Sequence, residues 1–257
     1  MSTLLGRPLW FELMTTDVEA ARRFYGDVVG WGTKDSTDLG MAYTEWLRPD
    51  GAPAAGMMAL PDELRAEGIP PHWMVYIGVD RLEDGVAHVE RLGGGTLSPV
   101  IEVPTVGRMQ TMRDAQGAAF SLYEPSSAPP PEAPPVHGDL SWLELFTTDS
   151  AAALAFYQDL FGWQPTEAMD MGPMGVYRMF GRTATQSMGG MMNKTPDMQM
   201  PNAWTLYVKV PDVHAAAARV TANGGQILHG PIEVPGGDWV VQAMDPQGAA
   251  FALHQAK

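Results

Sequence analysis

Two glutamates stand alone in otherwise apolar, strand-like segments: Glu12 in WFELM and Glu144 in WLELF. Apolar surroundings disfavour the charged form of a carboxylate, which suits it to act as a general acid or base on a small organic molecule. A structural role is the alternative, because buried carboxylates are rare but usually satisfied by hydrogen bonds from neighbouring strands. The residues themselves leave both roles open.

Both glutamates belong to a segment that the chain contains twice, with the copies 132 positions apart (144 − 12 = 132). In each copy the apolar residues change to helical spacing after Thr-Thr-Asp, which predicts a strand followed by a helix. We expect Asp17 and Asp149 to cap these helices by accepting hydrogen bonds from free amides of the first turn. Gly30 and Gly162 lie where each helix should end. Each glutamate is therefore predicted to lie on a strand that a helix holds in place.

The remainder of the chain repeats as well, with small changes of offset. The repeated pairs are Gly56-Met57-Met58 with Gly190-Met191-Met192, Trp73–Val79 with Trp204–Val210, Ile101–Pro104 with Ile232–Pro235, and Asp114–Phe120 with Asp245–Phe251. The intervening segment SSAPPPEAPP is half proline, a composition typical of an extended, semi-rigid spacer. We predict a domain at residues 1–125, a linker at residues 126–135 and a second domain at residues 136–257.

Each half is predicted to contain two strand–helix–strand units. In the first half, after the repeated segment, we expect strands at Ala42–Leu47 and Ala54–Leu60, a charged loop rich in proline, a strand at Trp73–Val79, a helix opened by Asp80 and ended by Gly93-Gly94-Gly95, and strands at Met109–Arg113 and Ala118–Tyr123. One fold prediction serves both halves, because the sequence is a tandem duplication.

Composition restricts the classes of function. The 257 residues carry 30 acidic against 16 basic side chains, a formal net charge of −14, which opposes binding to nucleic acid or to an anionic membrane. Cysteine is absent, so disulfides, thiolate metal sites and a cysteine nucleophile are excluded. The N-terminal residues lack the features of a secretory signal, and we expect a cytoplasmic protein, monomeric or homodimeric, whose partner is a small molecule. No nucleophile-elbow motif surrounds any serine, so the sequence does not support Ser-His-Asp catalysis.

The motif order of each half resembles the vicinal oxygen chelate superfamily, which includes glyoxalase I, bleomycin-resistance proteins and extradiol dioxygenases. The resemblance rests on WFEL…D…FY…GW, a W-x-x-Y-x-x-V strand, a GG pair after the second helix, and D-[AP]-Q-G-A-A-F. Within this superfamily the chain resembles bacterial two-domain proteins related to lactoylglutathione lyase. The resemblance implies an α+β fold of tandem domains, each with two βαβββ modules that form an open, cup-shaped mixed sheet.

The superfamily commonly holds a divalent metal with His, Glu or Gln side chains on the cup strands. The resemblance places those positions at Trp10, Met58, Met74 and Ser121 in the first half and at Trp142, Met192, Thr205 and Ala252 in the second half. None of these is a usual ligand of a hard metal ion. We therefore predict no cofactor, with a divalent metal unsupported at the usual positions.

Alternation along strands extends the predicted cup surface from those positions, because residues i and i+2 point the same way. The added residues are Glu12, His72, Tyr76 and Tyr123 in the first half and Glu144, Tyr207 and His254 in the second half. Tyrosine hydroxyls could stabilise an oxyanion or bind a carbonyl group, although tyrosine is also a common packing residue in strands. Methionines suit adaptable apolar surfaces.

Together these features predict a glyoxalase-like protein that binds a small organic metabolite in a cup lined by Trp, Met, Tyr and Glu. Glu12 and Glu144 are the candidate catalytic residues of a metal-independent lyase or isomerase. A non-catalytic protein that sequesters a small molecule, as bleomycin-resistance proteins do, is the alternative. A metal-dependent glyoxalase or dioxygenase is a further alternative.

Overall fold

The computed structural model describes residues 4–36 and 42–257. In the first half the elements are β1 (Pro8–Thr15), α1 (Val18–Val29), β2 (Gly32–Ser36), β3 (Tyr43–Leu47), β4 (Pro53–Ala59), α2 (Asp62–Ala66), β5 (His72–Gly78), α3 (Leu82–Arg91), β6 (Gly95–Thr96), β7 (Ile101–Val103), β8 (Gly107–Arg113) and β9 (Ala119–Pro125). In the second half they are β10 (Leu140–Thr147), α4 (Ser150–Phe161), β11 (Gln164–Asp170), β12 (Val176–Gly181), β13 (Gly189–Asn193), β14 (Ala203–Lys209), α5 (Val213–Ala222), β15 (Gln226–Glu233), β16 (Trp239–Met244) and β17 (Ala250–Gln255).

The described strands form two open mixed sheets, which confirms the predicted α+β class. One has the order β2-β3-β4-β1-β5-β9-β8-β6, with β7 paired to β8, and the other has the order β11-β12-β13-β10-β14-β17-β16-β15. In both sheets the strand that carries the glutamate runs parallel to a glycine-containing strand, with Glu12 opposite Gly56 and Glu144 opposite Gly190. No helix in the described part of the chain is long and apolar enough to cross a membrane.

The predicted ends of the two long helices are confirmed. The Asp17 side chain accepts a hydrogen bond from the Ala20 amide at 2.9 Å. The Asp149 side chain accepts hydrogen bonds from two amides of the first turn of α4. Both helices end at a glycine in the left-handed region, where a residue without Cβ is unstrained: φ is 86° at Gly30 and 71° at Gly162.

Three expectations for the first half need correction. The segment predicted as a charged, proline-rich loop contains the short helix α2, whose Asp62 and Arg65 form an ion pair one turn apart. The helix predicted to open at Asp80 begins at Leu82, whose amide donates to Glu124 Oε2 at 2.7 Å. Strand β2 was not predicted, because its polar, exposed sequence GTKDS lacks the alternation that marks a half-buried strand.

The chain divides into two compact units, each of which combines segments from both halves of the sequence. The first unit, which we call unit A, comprises Met1–Leu9, Val75–Glu132 and Leu143–Thr205. The second, unit B, comprises Trp10–Met74, Ala133–Trp142 and Leu206–Lys257. The division into consecutive domains at residues 1–125 and 136–257 stays a prediction.

A buried hydrogen-bonded chain links the two sequence halves within unit B. The Tyr25 hydroxyl donates to Asp245 Oδ2 at 3.1 Å and accepts from Trp73 Nε1 at 2.9 Å. The other carboxylate oxygen of Asp245 accepts hydrogen bonds from the backbone amides of Gln247 and Ala249, both at 2.9 Å. This arrangement explains why the DPQGAAF and FY motifs recur together: the aspartate closes its own turn and also binds the helical tyrosine.

Unit A contains the same chain built from the other copies of these motifs. The Tyr157 hydroxyl donates to Asp114 Oδ2 at 3.1 Å and accepts from Trp204 Nε1 at 3.2 Å. Tyr25 and Tyr157 are both fully buried. Burial, which is the larger effect, and the nearby carboxylate together raise the pKa of each phenol well above its ordinary value. Both hydroxyls are therefore protonated donors at neutral pH.

Candidate functional site

Glu12 of unit B lies in a cluster with Trp10, Tyr43 and Gly56, which we call the Glu12 cluster. Glu12 is 7% exposed and opposes Gly56 on the parallel strand β4. Tyr43 comes from β3, on the other side of β4, and its side chain hydrogen-bonds to Glu12. Trp10 Nε1 donates to the Tyr43 hydroxyl oxygen at 2.8 Å. Because that oxygen accepts from the indole, its own hydrogen is available to the Glu12 carboxylate.

Glycine at position 56 allows this arrangement. A Cβ built on Gly56 would lie 1.8 Å from the Tyr43 hydroxyl oxygen and 2.9 Å from Trp10 Nε1. Such distances are far below van der Waals contact, so any side chain at this position would displace the tyrosine. The repeated G-M-M motif therefore has a structural reason here: the glycine leaves room for a phenol that reaches across β4 to the carboxylate on β1.

Burial is the largest effect that raises the pKa of Tyr43, and the charge of Glu12 raises it further, while the hydrogen bond from Trp10 lowers it. The balance lies far above the ordinary value, so the phenol is protonated at neutral pH. It can therefore donate a hydrogen bond to a carboxylate or to a developing oxyanion. Glu12 thus accepts a hydrogen bond from a side chain on another strand of its sheet, which is the kind of contact expected if Glu12 has a structural role. The same contact fixes the position of the carboxylate.

Unit A has the corresponding residues around Glu144, which is 6% exposed and opposes Gly190. A Cβ on Gly190 would lie 2.1 Å from Cζ of Tyr177, so this tyrosine covers its glycine as Tyr43 covers Gly56. Sequence reasoning missed both tyrosines. The signal was present, because Tyr43 and Tyr177 repeat at the same offset as the two glycines (177 − 43 = 190 − 56 = 134).

The other candidate residues are divided between the units. In unit B are Trp10, Glu12, Met58, Met74, Trp142, Tyr207 and His254, and in unit A are Tyr76, Ser121, Tyr123, Glu144, Met192 and Thr205. Met58 opposes Met14 two residues beyond the Glu12–Gly56 pair, so alternation places it on the face of the Glu12 cluster. Tyr207 accepts a hydrogen bond from Gln242 Nε2 at 2.8 Å.

In unit A, β5 and β9 bring Tyr76 opposite Ser121. The Ser121 hydroxyl lies 3.1 Å from that of Thr111, and the Tyr123 hydroxyl donates to the Val106 carbonyl at 3.0 Å. Partial burial raises the pKa of Tyr123. The hydrogen bond to Val106 thus holds the Tyr123 hydroxyl at a backbone carbonyl. That all these residues line ligand-binding cups stays a prediction.

The residues at the superfamily's metal positions do not fit a hard divalent ion. Trp10 offers only an indole N–H, which already donates to Tyr43, and the thioethers of Met58 and Met74 are soft donors. His72 is a candidate imidazole ligand, but its Nδ1 lies 2.8 Å from the Pro70 carbonyl oxygen. Among residues 4–36 and 42–257, no three His, Cys, Asp or Glu side chains converge into a group that could hold a metal.

Comparison with known proteins matches both ends of this chain to related families. Residues 139–253 match the model described as Glyoxalase/Bleomycin resistance protein/Dioxygenase superfamily. Residues 7–45 match the model described as Bleomycin resistance protein-like N-terminal, and this range contains Trp10, Glu12 and Tyr43.

Two bacterial relatives align along nearly the whole chain. "Putative glyoxylase CFP32" from Mycobacterium tuberculosis is 32% identical over 248 residues, which covers 96% of this chain and 94% of the relative. "Anthracycline biosynthesis protein DnrV" from Streptomyces peucetius is 27% identical over 258 residues, with coverage of 96% and 92%.

Solved structures share the fold at low sequence identity. The Mn(II)-bound glyoxalase from Novosphingobium aromaticivorans has a TM-score of 0.67 at 14% identity and covers 98% of this chain and 82% of its own. The 2,3-dioxygenase LapB from Pseudomonas sp. KL28 has a TM-score of 0.66 at 15% identity, with coverage of 99% and 94%. On the family match and the full-length relatives, the chain belongs to the glyoxalase/bleomycin resistance/dioxygenase superfamily, also called the vicinal oxygen chelate superfamily.

Proposed function

We propose that this protein is a glyoxalase-like lyase or isomerase that binds a small, partly apolar organic molecule beside Glu12 and Tyr43 and transfers a proton without a metal. The contact among Trp10, Tyr43 and Glu12 is the observation that carries the proposal. It holds a carboxylate and a protonated phenol together on one face of the sheet, next to an indole that offers apolar contact area. Glu144 and Tyr177 form the corresponding pair of the second site.

For a hemithioacetal substrate the chemistry balances without any added reactant. The Glu12 carboxylate removes the proton from the carbon that carries the hydroxyl and sulfur substituents. The electron pair moves onto the neighbouring carbonyl. Its oxygen then accepts the hydrogen bond of the Tyr43 hydroxyl, which turns away from Glu12 once that carboxylate has taken up the proton. The glutamic acid then returns the proton to the second carbon, and the hydroxyl proton of the first carbon moves to the oxygen of the second. The first carbon is oxidised to a thioester carbonyl and the second is reduced to an alcohol, so the rearrangement is redox-neutral.

The experiment that tests this proposal measures turnover of the hemithioacetal formed from methylglyoxal and glutathione by protein treated with a chelator. We expect the double variant Glu12→Gln/Glu144→Gln to lose at least about 100-fold in kcat, the lower end of the usual contribution of a general acid–base group. Glu19→Gln is the matched control, because Glu19 lies on the exposed surface of α1 in an ion pair with Arg22. Turnover that survives in the double variant, or that the chelator abolishes in the native protein, would contradict the proposal.

A non-catalytic sequestering role is the second candidate. The match to a bleomycin-resistance N-terminal model over residues 7–45, which contain Trp10, Glu12 and Tyr43, favours it. The relative named for anthracycline biosynthesis suggests a planar aromatic molecule as the probe. Titration with an anthracycline, followed by tryptophan fluorescence, should then give saturable quenching that Trp10→Phe reduces. Tight binding together with no hemithioacetal turnover would favour this role over the enzyme.

A further inference from the structure

A serine, a histidine and an aspartate from three distant parts of the chain meet in unit B. Ser141 Oγ lies 2.8 Å from Nδ1 of His254, and Nε2 of the same imidazole lies 2.9 Å from Asp238 Oδ2. Ser141 is on β10, His254 on β17, and Asp238 immediately precedes β16. Each ring nitrogen thus has a partner of the type required in a nucleophile–base–carboxylate relay.

The contact with Asp238 fixes which nitrogen of His254 carries a hydrogen. Partial burial raises the pKa of Asp238, but hydrogen bonds from His254 and from the Lys257 amide outweigh it and leave the pKa below its ordinary value. An ionised carboxylate only accepts hydrogen bonds, so Nε2 of His254 carries the hydrogen. In the neutral ring, Nδ1 is then an acceptor that faces the Ser141 hydroxyl. That hydroxyl has a single hydrogen, for which the Tyr207 carbonyl oxygen, at 3.2 Å, is the competing acceptor.

The tandem duplication supplies an internal comparison. The positions equivalent to Ser141, His254 and Asp238 in the first half are Leu9 (141 − 132), Tyr123 (254 − 131) and Gly107 (238 − 131). The first half forms the same strands with these residues, and its Tyr123 hydroxyl bonds to a backbone carbonyl instead. The first half therefore forms these strands without the three polar residues, which are specific to the second half.

The three side chains are accessible to a small reagent. Ser141 is half-buried, and the side chains of His254 and Asp238 are 16% and 40% exposed. His254 opposes Lys209 on the neighbouring strand β14, and the Lys209 ammonium donates to the Pro135 carbonyl at 2.9 Å. Lys209 contributes to the charge environment of Asp238.

We propose that Ser141 is a nucleophile that accepts the acyl group of small activated esters or thioesters, with His254 as its general base and Asp238 as the positioning residue. Ser141 Oγ attacks the carbonyl carbon while its proton moves to Nδ1 of His254. The bond to the leaving alcohol or thiol breaks, and the protonated imidazole returns the proton to that leaving group. Water, deprotonated by His254, then hydrolyses the acyl-serine and regenerates the hydroxyl. This activity is independent of proton transfer at Glu12.

A sulfonyl fluoride tests the proposal, because displacement of fluoride by an activated serine leaves a stable sulfonate ester. Native protein treated with phenylmethylsulfonyl fluoride should carry the adduct on Ser141 in peptide mass spectrometry. We expect His254→Gln to slow this labelling at least about 100-fold, the usual lower contribution of a general base. Ser126→Ala, which removes an exposed hydroxyl that donates to the Thr105 carbonyl, should leave it unchanged.

Asp238→Asn separates positioning from structure. It should lower the first-order labelling rate at saturating reagent while the half-saturating concentration and the melting temperature stay unchanged. Identification of the labelled residue in the native protein does not require any of the variants to fold. Absence of an adduct on Ser141, or labelling of Ser141 at the rate seen in urea-unfolded protein, would overturn the proposal. Labelling at the same rate in His254→Gln would do so too.

Discussion

Replacing Tyr25 by phenylalanine tests whether the hydroxyl chain through Asp245 stabilises unit B. The change removes one oxygen from a side chain that is fully buried and leaves the ring packing intact. It orphans two groups: Asp245 Oδ2 loses its donor and Trp73 Nε1 loses its acceptor. A buried group left unsatisfied costs about 1–3 kcal/mol, and more when it is charged.

The expected loss is about 2–4 kcal/mol in the free energy of unfolding. This value lies in the lower part of the range obtained by adding the costs of the two orphaned groups, because the other oxygen of Asp245 keeps its hydrogen bonds from the amides of Gln247 and Ala249. For a chain of this size, about 2–4 °C in melting temperature accompanies each kcal/mol, so we expect a fall of roughly 5–15 °C. Tyr157→Phe should give a loss of the same size, because unit A has the same chain of hydrogen bonds.

Equilibrium urea unfolding, followed by tryptophan fluorescence, measures this loss. Tyr123→Phe is the matched control, since its half-buried hydroxyl donates to one backbone carbonyl, and we expect it to cost about 0.5–1.5 kcal/mol. The double variant Tyr25→Phe/Asp245→Asn should show a coupling energy of at least about 0.5 kcal/mol, as residues in one network do. A loss for Tyr25→Phe no larger than that of the control, with no coupling to Asp245, would refute the reasoning.

Two further predictions concern the tyrosines of both units. Gly56→Ala and Gly190→Ala should each lower the free energy of unfolding by about 1–3 kcal/mol and weaken ligand binding, because the new methyl group occupies the space of Tyr43 or Tyr177. Thermal melts measure the first effect and binding titrations the second. Unchanged binding would show that these rings do not form the site. Stability should also fall above pH 10, because Tyr25, Tyr43 and Tyr157 have raised pKa values in the folded protein, whereas the unfolded chain ionises at the ordinary value of 10.0. The folded state therefore holds more protons than the unfolded state above that pH, and each tyrosine contributes a loss of about 1.4 kcal/mol per pH unit. Urea unfolding between pH 9 and 11 should show a shallower slope for Tyr25→Phe than for the native protein, and equal slopes would contradict the raised pKa.

The repeated strand and helix could be predicted because their determinants are local. Asp17 and Asp149 cap helices through amides three residues or fewer away, and Gly30 and Gly162 end them through their own backbone conformation. Alternation along β1 and β10 was sufficient to single out Glu12 and Glu144. The polar strand β2 escaped prediction because its pairing with β3, rather than its own side chains, makes it a strand.

The superfamily and the α+β class followed from motif order, because these motifs are the turns, caps and helix faces that a duplicated βαβββ segment needs. The partner of each candidate side chain could not be predicted in this way. Tyr43 reaches Glu12 across a strand that lies between them, and only the sheet register together with the missing side chain of Gly56 makes that contact.

The amino-acid sequence by itself therefore determined the repeated elements, their ends and the two carboxylates, since short-range backbone chemistry governs all of these. The tertiary structure alone decided which copies of the motifs pack together. Tyr25 binds Asp245 from 220 positions away, and Ser141 meets His254 across 113. Such pairings depend on which apolar faces bury each other, and because both halves carry nearly the same faces, local pattern cannot distinguish one pairing of the modules from another.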